Sequence, residues 1–400
     1  MSSILFTPGK IGPLTLRNRA IRSAAFEGMC PGGVPSDSLV NYHRTVAAGG
    51  VAMTTVAYMA VVDGGRTFTH QAYMHRGIVP ELKKLTDAVH AEGALASVQL
   101  GHAGNMGDSK VSGQRAVSAS SVFTLFGLTL PRKMTEADIE DMIRAHGDAV
   151  RTAREAGFDA VEIHAGHGYL ISQFISPFTN RRKDRWGGPF ENRTRFLSRV
   201  MSEVRTAAGN DMAVIVKMNI EDGFPRGMDR GEGLGVAQLL EDEGADALVL
   251  SGGFVSKTPF FMMRGITPHR ELIKRQTSLI IKAGMIFFSR VMIRDYPYRE
   301  LFFLDDAMKI REKVSLPLVY VGGIVSGQGI EKALGSGFDF VQIARALLYE
   351  PDFINRIKKD SAYVSFCREC GGPAGPCNTC VATMYGGEAE CPYRAPSSVK

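Results

Sequence analysis

The sequence predicts an α/β fold, a (β/α)₈ (TIM) barrel, from two regularities along its 400 residues. Eight short apolar, β-branched runs alternate with amphipathic segments, several of which end at a glycine before the next run. The runs are continuously apolar rather than alternating, which is typical of strands buried on both faces of a parallel sheet. Eight such units favour a closed barrel, and a doubly wound open sheet is the alternative.

The predicted elements follow one another in a regular order. Strands are predicted at residues 20–25, 51–61, 94–100, 160–165, 213–219, 247–253, 316–323 and 340–346. One helix begins at Thr135, where Asp138 approximates a capping box, and ends at Gly157. A second helix ends at Gly93. Barrels carry their reactive groups at the C-terminal ends of strands. The candidate residues at those ends are Gln99, His164, Lys217, Gly322 and Arg345.

Two long insertions interrupt the βα pattern. Residues 101–134 follow the third strand and are expected to form a cap or hairpin over the barrel mouth. Residues 254–303 follow the sixth strand and are rich in Phe, Met, Tyr and Arg, so we expect either an apolar substrate lid or an oligomer surface. The chain is therefore divided into a barrel of residues 1–360 and a Cys-rich C-terminal extension of residues 361–400.

Composition narrows the range of partners. Apolar content of 44% and charged content of 22% are ordinary for a globular chain. The net charge of +6 is small and the basic residues are scattered, so a nucleic acid is not the expected partner. No run approaches the roughly 20 apolar residues of a membrane span. The opening "MSSILFTPGKIGPL" breaks at Pro8 and Gly9 and does not resemble a signal segment, so a cytoplasmic location is expected.

The segment "VEIHAGHGYL" places two histidines and a tyrosine after the fourth predicted strand. A zinc site would need a third ligand, and Gly168 and Tyr169 do not supply one. A structural turn with two hydrogen-bonded histidines is a second interpretation. We favour electrophilic catalysis, in which His164 and His167 hold a carbonyl oxygen as it gains negative charge and Tyr169 supplies a proton.

Two other stretches have simpler interpretations. The block "SPFTNRRKDRWGGPFENRTRF" is predicted to be an architectural loop, fixed behind the histidines by Arg–carboxylate and Asn–backbone hydrogen bonds. The last two βα loops of barrels commonly bind phosphate through glycine N–H groups and a helix N-terminus. Gly322, Gly323 and Arg345 lie in those loops, which indicates a phosphorylated cofactor.

Several stretches together resemble the Old Yellow Enzyme family of FMN-dependent ene-reductases. They span roughly residues 4–360 and are "FTPGKIGPLTLRNRAIRSA", "VQLGHAG", "EIHAGHGYLISQFISPFTNRRKDRWGGPFENRTRF", "LPLVYVGGI" and "FVQIARALLYEPD". The resemblance implies an FMN-binding (β/α)₈ barrel. It also implies an enzyme that takes hydride from NAD(P)H and passes it to the β-carbon of an activated C=C.

The resemblance assigns roles residue by residue. His164 and His167 match the pair that hydrogen-bonds the substrate's carbonyl or nitro oxygen, and Tyr169 matches the proton donor. Gln99 matches a residue that bonds the flavin pyrimidine ring, and Lys217 lies where the family has a basic residue near flavin N1. The other residues at FMN-binding positions are Ser23, Ala24, Ala25, Phe26, Tyr58, Gly322, Gly323, Ala344 and Arg345.

Three of these positions depart from the family's usual residues. Phe26 stands where relatives have Thr or Cys, and Tyr58 replaces a small residue. Ala344 stands where Gly is common before Arg345. FMN binding remains the expectation, and the departures bear on the redox potential and on substrate size.

Five of the six cysteines crowd residues 367–391, which in a reducing compartment predicts iron–sulfur or zinc ligation before disulfides. Relatives of the 2,4-dienoyl-CoA reductase and trimethylamine dehydrogenase type bind a [4Fe–4S] cluster after the barrel. Its last three ligands resemble Cys377, Cys380 and Cys391. Ala374 stands at the expected first ligand, so Cys370 or Cys367 substitutes only if the intervening loop turns back. Iron–sulfur, zinc and a metal-free tail all remain open.

The expected activity is reduction of an α,β-unsaturated carbonyl or related activated alkene by NAD(P)H through FMN. The alternatives are a flavin-dependent dehydrogenase or demethylase that acts oxidatively, a flavin-free barrel lyase or isomerase, and a non-catalytic flavin-binding subunit. The expected partners are a small-molecule substrate and another copy of the chain, with no nucleic acid and no membrane.

Overall fold

Eight parallel strands close into a barrel in which each strand pairs with the next barrel strand along the chain, and the last pairs with the first. The predicted (β/α)₈ fold is confirmed, and the open-sheet alternative is wrong because the two would-be sheet edges are bonded to each other. The barrel strands are β3 (Ala20–Arg22), β4 (Met53–Ala60), β5 (Leu95–Gly101), β8 (Ala160–Ala165), β9 (Ala213–Asn219), β10 (Ala247–Ser251), β11 (Leu318–Val321) and β12 (Phe340–Ile343).

The structure is a computed structural model, and it describes residues 3–124, 129–276, 279–383 and 387–394 of the chain. The parts of the predicted barrel, insertions and extension that fall on residues 1–2, 125–128, 277–278, 384–386 and 395–400 lie outside the described residues. The helices are α1 (Asp37–Ala48), α2 (Val79–Ala91), α3 (Ser109–Ser112), α4 (Glu136–Glu155), α5 (Leu170–Ile175), α6 (Phe190–Ala208), α7 (Arg230–Asp242), α8 (His269–Lys274), α9 (Leu279–Met292), α10 (Leu304–Arg311), α11 (Gly327–Gly335), α12 (Arg345–Tyr349), α13 (Phe353–Lys359) and α14 (Thr379–Thr383). No helix in these described ranges combines the length and apolar character needed to cross a membrane.

The barrel strands are buried on both faces, as their continuous hydrophobicity predicts. Every residue of β4, β8, β9, β10 and β12 is buried. Helix α4 begins with the predicted capping box, in which Thr135 and Asp138 bond each other's backbone N–H groups. Local signals therefore fix both the strands and the boundaries of this helix.

A hairpin that the sequence did not predict closes the N-terminal end of the barrel. Strands β1 (Gly9–Ile11) and β2 (Leu14–Leu16) pair antiparallel. Their buried side chains Ile11 and Leu16 join a core cluster with residues at the starts of barrel strands, among them Met53 and Ala213. With this end plugged by apolar side chains, a ligand can enter the barrel only from the C-terminal strand ends.

The insertion of residues 101–134 adds two short strands, β6 (Val117–Ser118) and β7 (Arg132–Lys133), beside the barrel mouth. They pair in parallel, so the expected hairpin is wrong for this pair. An antiparallel bridge joins Thr124 and Thr129 further along the same insertion. Met106, Lys110 and Thr129 of this insertion line the cavity at the mouth, and the capping role of the insertion stays a prediction.

The predicted architectural loop is a loop over residues 176–189, between α5 and α6, and the prediction is wrong for residues 190–196, which begin α6. The block is held by the kinds of hydrogen bond that the sequence predicts. The Asn180 side-chain amide donates to the Phe174 and Trp186 carbonyls, both at 2.7 Å. Arg182 donates to the Ala119 and Met134 carbonyls at 3.0 and 2.7 Å and pairs with Asp184. Arg193 bonds the Ile175 carbonyl and Glu232. The loop is thus tied to α5, which directly follows the predicted catalytic residues.

We predict that Asn180→Ala lowers the free energy of unfolding by about 3 kcal/mol, because two buried carbonyls lose their donor. Urea denaturation of the purified protein measures this change. Lys83→Ala is the control: its ion pair with Asp87 leaves both side chains more than half exposed, and its loss should cost less than about 1 kcal/mol. Equal losses in the two variants would contradict the architectural role of Asn180.

Candidate active site

A cavity of about 1130 Å³ opens at the C-terminal ends of the barrel strands. This exceeds the roughly 300–1000 Å³ of an ordinary ligand site, so it has room for a cofactor and a substrate together. The structure brings all the predicted catalytic and cofactor-binding residues to this cavity. They are Ser23, Ala24, Ala25, Phe26, Tyr58, Gln99, His164, His167, Tyr169, Lys217, Gly322, Gly323, Ala344 and Arg345. Their individual roles stay predictions.

A buried carboxylate, Glu162, joins the side chains on the barrel floor of this cavity. Its Oε1 lies 2.9 Å from the Lys217 ammonium and accepts a 2.6 Å hydrogen bond from the Gln99 amide. Its Oε2 accepts a 2.6 Å bond from the Gln342 amide. Glu162 is fully buried. Three adjacent barrel strands, β5, β8 and β9, and the more distant β12 therefore each contribute one side chain to a single polar network.

Glu162 and Gln342 are not among the site residues predicted from the sequence. Each is a polar residue inside an otherwise apolar strand, "AVEIHA" and "FVQIA". A buried charge or amide in such a run has to be paired, and that requirement is the signal that could have identified them.

Lys217 is a buried cation that depends on this network. Burial lowers the pKa of the Lys217 ammonium, whereas the adjacent Glu162 raises it. The ammonium also donates to the Ser23 hydroxyl at 3.2 Å. A second buried ion pair, Arg22 to Glu27 at 2.5 Å, flanks the segment that contains Ser23. Arg22 bonds the Ala25 carbonyl at 2.8 Å, which holds this segment against the cavity.

His164 and His167 present neutral rings to the cavity. Burial, reinforced by the other histidine and by Lys217, holds the pKa of His164 well below its usual range. Burial lowers the pKa of His167 to about 3. The Gly166 N–H points at His164 Nδ1 at 3.4 Å, which places the proton of the neutral ring on Nε2. Both rings therefore interact with a ligand as uncharged imidazoles.

The backbone around His167 is held in an uncommon conformation. His167 has φ of 58°, in the left-handed region that few side chains adopt. The Asn219 side chain accepts the His167 N–H at 2.9 Å, and the Val255 N–H donates to its carbonyl at 2.9 Å. His167 Nε2 lies 2.7 Å from the Ser251 hydroxyl. When Ser251 donates, the ring proton lies on Nδ1, which then becomes a second N–H donor beside His164.

Tyr169 is packed between the histidine pair and Tyr58. Its ring centroid lies 4.4 Å from that of His164 and 4.9 Å from that of Tyr58. The Tyr58 hydroxyl donates to the Gly65 carbonyl at 3.0 Å, and burial raises the pKa of Tyr58 to about 12. Tyr58 thus serves as an aromatic wall for Tyr169, and its own proton is held by the backbone.

The predicted phosphate-binding end is built from more chain than the last two loops. Gly322 and Gly323 have φ of 148° and 77°, and the space a side chain would need there is taken by the Phe302 and Phe303 rings. Arg345 donates to the Met263 and Arg264 carbonyls at 3.4 and 3.2 Å and bonds the Asn378 side chain.

The model of the NADH:flavin oxidoreductase / NADH oxidase family matches residues 4–258. The chain belongs to this family. It is similar to 4,4'-dithiodibutanoate disulfide reductase of Rhodococcus erythropolis, with 40% identity over 96% of this chain and 93% of that protein. Membership in the family confirms the resemblance, and with it an FMN-dependent oxidoreductase that uses NAD(P)H.

The chain is also similar to a second curated relative and to a solved structure. The chain is 32% identical to a metal reductase of Desulforamulus reducens over 92% of its own length, and it spans 50% of that protein. The structure of an old yellow enzyme homologue from Zymomonas mobilis has a TM-score of 0.71 and 24% identity, covering 90% of this chain and 94% of the other. That structural similarity supports the fold.

The cavity of this family member fits FMN. Gln342 lines the cavity, and its buried Oε1 has no hydrogen-bond partner among the described residues, so it is an acceptor that lacks a donor. The flavin pyrimidine ring carries an N–H that can fill this role. Lys217 adds a cation at the same place, and the volume accommodates a cofactor.

The cysteine extension forms part of the cavity wall. Cys367, Cys380, Val381 and Ala389 line the cavity. The loop after Cys370 does turn back, because the Cys377 N–H donates to the Cys370 sulfur at 3.2 Å.

The predicted metal ligands Cys370, Cys377, Cys380 and Cys391 do not form a metal site in the described part of the chain. No group of three or more His, Cys, Asp or Glu is arranged there to hold a metal ion. Burial raises the pKa of Cys380 to about 12, so its thiol stays protonated at neutral pH. We assign no metal-dependent step to the extension.

We predict that His167 makes the protein acid-sensitive. Its pKa is depressed in the folded state and near 6.5 when unfolded, so the unfolded chain binds more protons as the pH falls. Between pH 7 and pH 5 this should lower the free energy of unfolding by about 2 kcal/mol. His167→Asn should remove that part of the pH dependence, which urea denaturation at the two pH values measures. An unchanged pH dependence in the variant would mean that the pKa of His167 is not depressed in the folded protein.

Proposed function

We propose that the chain is an ene-reductase, which reduces an α,β-unsaturated carbonyl or related activated alkene with NAD(P)H. The observation that carries this proposal is the cluster of two uncharged histidines and Tyr169 at the cavity with the Glu162–Lys217 pair. FMN, when bound, accepts a hydride from NAD(P)H and supplies it to the alkene. The chain's own residues bind, orient and protonate.

The histidines act on the substrate oxygen. The ring centroids of His164 and His167 lie 5.0 Å apart, with the rings nearly perpendicular, so their N–H groups can converge on one oxygen. Negative charge develops on that oxygen only as hydride reaches the β-carbon. Two donors fixed in advance therefore stabilise the transition state more than the ground state.

Tyr169 supplies the proton to the α-carbon. It is adjacent to His164, so a substrate whose oxygen is held by the histidines has its C=C near the phenol. Ser23, Gln99, Lys217 and Gln342 would hold the flavin pyrimidine ring, with Lys217 offsetting negative charge near N1. Gly322, Gly323, Ala344 and Arg345 would hold the phosphate end.

The insertion of residues 254–303 forms the lid over the substrate. Its apolar side chains on the cavity include Phe260, Met262, Met263, Leu272, Met285 and Phe288. Methionine and phenylalanine adapt to varied apolar shapes, which suits a bulky substrate. Other side chains of α9 are directed to solvent: Leu279 is 80% exposed and Phe287 is 77% exposed. An oligomer surface on this helix therefore stays a prediction.

Uncharged imidazoles beside a lysine favour an anionic oxygen over a cationic amine. On the barrel floor, the Glu162 and Glu27 carboxylates are already paired with Lys217 and Arg22, so neither is available to pair with a cationic amine held beside the histidines. The oxidative alternative is therefore disfavoured. Membership in a flavin oxidoreductase family disfavours the flavin-free lyase or isomerase.

Disulfide reduction is a second candidate function. It is favoured by 40% identity, over nearly the whole length of both proteins, to a reductase of 4,4'-dithiodibutanoate. Cleavage of a disulfide to two thiols takes two electrons and two protons, as alkene reduction does. Anaerobic reoxidation of the reduced enzyme by 4,4'-dithiodibutanoate and by cyclohexenone, measured side by side, decides between the two. A colourless protein that takes up no FMN would contradict both.

We predict that Tyr169→Phe slows reoxidation by the alkene at least about 100-fold, the contribution of a general acid, and leaves flavin reduction by NAD(P)H nearly unchanged. Stopped-flow absorbance of the flavin follows each half-reaction separately. Tyr58→Phe is the matched control, since it removes a hydroxyl already bonded to the Gly65 carbonyl and should affect the alkene step far less. Equal losses in both half-reactions of Tyr169→Phe would show that the phenol is not the proton donor.

A further inference from the structure

Glu162 is the one member of the barrel-floor network with no place in the scheme above. It is fully buried and reaches Lys217, Gln99 and Gln342 at once. A carboxylate in this setting is costly to bury unless its partners repay the desolvation. Its position between three groups that would meet the flavin suggests a role exerted through them.

Glu162 fixes the orientation of two amides. Gln99 and Gln342 both give their NH₂ groups to its oxygens, so each amide oxygen is directed away from the carboxylate. For Gln342 that oxygen is the unpartnered, buried acceptor at the cavity. Without Glu162 either amide is free to turn over and present a donor in place of the acceptor.

Glu162 also determines the charge of Lys217. The groups that face the ammonium are the Arg22 cation, the Ser23 hydroxyl and the uncharged rings of His164 and His167. Among the charges of the described residues, Glu162 favours the protonated form of Lys217 and Arg22 opposes it. A buried ammonium that loses its counter-ion releases its proton.

We propose that Glu162 is a positioning residue that orients Gln99 and Gln342 toward the flavin and keeps Lys217 protonated, so that the enzyme takes up one proton with two electrons. The proposal rests on the proposed function. In the wild type, FMN takes two electrons and one proton to give the anionic reduced flavin beside a lysine that is already charged. In Glu162→Gln, Lys217 is neutral in the oxidised enzyme and recharges on reduction, so two electrons bring in two protons.

Spectroelectrochemical titration of the FMN-loaded protein between pH 6 and pH 9 tests this proposal. One proton per two electrons corresponds to about 30 mV per pH unit, and two protons to about 60 mV. We expect the first slope for the wild type and the second for E162Q. The FMN dissociation constant of E162Q should also rise about tenfold, because two amides lose a charged acceptor.

A rescue variant separates charge from folding. In E162Q/K217R the guanidinium stays charged without a counter-ion, so the one-proton slope should return while FMN binding stays weak. Asp246→Asn is the control. Asp246 bonds Arg205 and the Val214 N–H outside the cavity, and its loss should leave the slope and the FMN affinity as in the wild type.

The outcomes distinguish this proposal from the proposed function. The role of Glu162 would be overturned if E162Q bound FMN as tightly as the wild type and showed a one-proton slope. That result would not contradict the proposed reduction of an alkene. If E162Q does not fold, Glu162→Asp keeps the charge at a shorter reach. It should weaken FMN binding and retain the one-proton slope, and a two-proton slope in this variant would contradict the proposal. A wild type that reduces no alkene would instead contradict the function.

Discussion

The site is organised around one negative charge, the Glu162 carboxylate, which is buried in the barrel beneath the cavity. Glu162 binds the Lys217 ammonium and accepts hydrogen bonds from the Gln99 and Gln342 amides, which come from three other strands. Each of these three side chains also lines the cavity. Burying a charge is unfavourable by several kcal/mol unless its partners are in place, so the buried Glu162 carboxylate depends on all three of its partners. This network of four side chains can form only when the barrel closes, because β5, β8, β9 and β12 must be in register for the contacts to form.

The catalytic end depends on a different constraint, the exclusion of charge from the histidines. Lys217 and burial both oppose protonation of His164 and His167, so the cation that would stabilise a reduced cofactor also keeps the imidazoles neutral. The architectural loop makes this arrangement rigid. Its Asn180 and Arg193 bonds fix α5, whose start at Leu170 directly follows Tyr169.

The fold and the site were predictable from the sequence to different depths. Strands buried on both faces, the capping box at Thr135 and the glycine that ends α4 are local signals, and the structure follows them. The hairpin at residues 9–16 and the contact of Arg345 with Asn378 depend on which distant segments meet, which local periodicity does not encode. Glu162 was missed for a related reason: an isolated glutamate in an apolar strand shows its purpose only when its three partners are known.

The contact between Arg345 and Asn378 connects the Cys-rich extension to the mouth of the barrel. Asn378 bonds both Arg345 and the Met263 carbonyl, and the Ala389 N–H bonds the Glu27 carbonyl. The extension thereby joins the loop after the first barrel strand, the longest insertion and the start of α12 into one rim. Val381 and Ala389 line the cavity and belong to no barrel strand, so substitutions at these two tail positions would change the shape of the cavity without altering a strand.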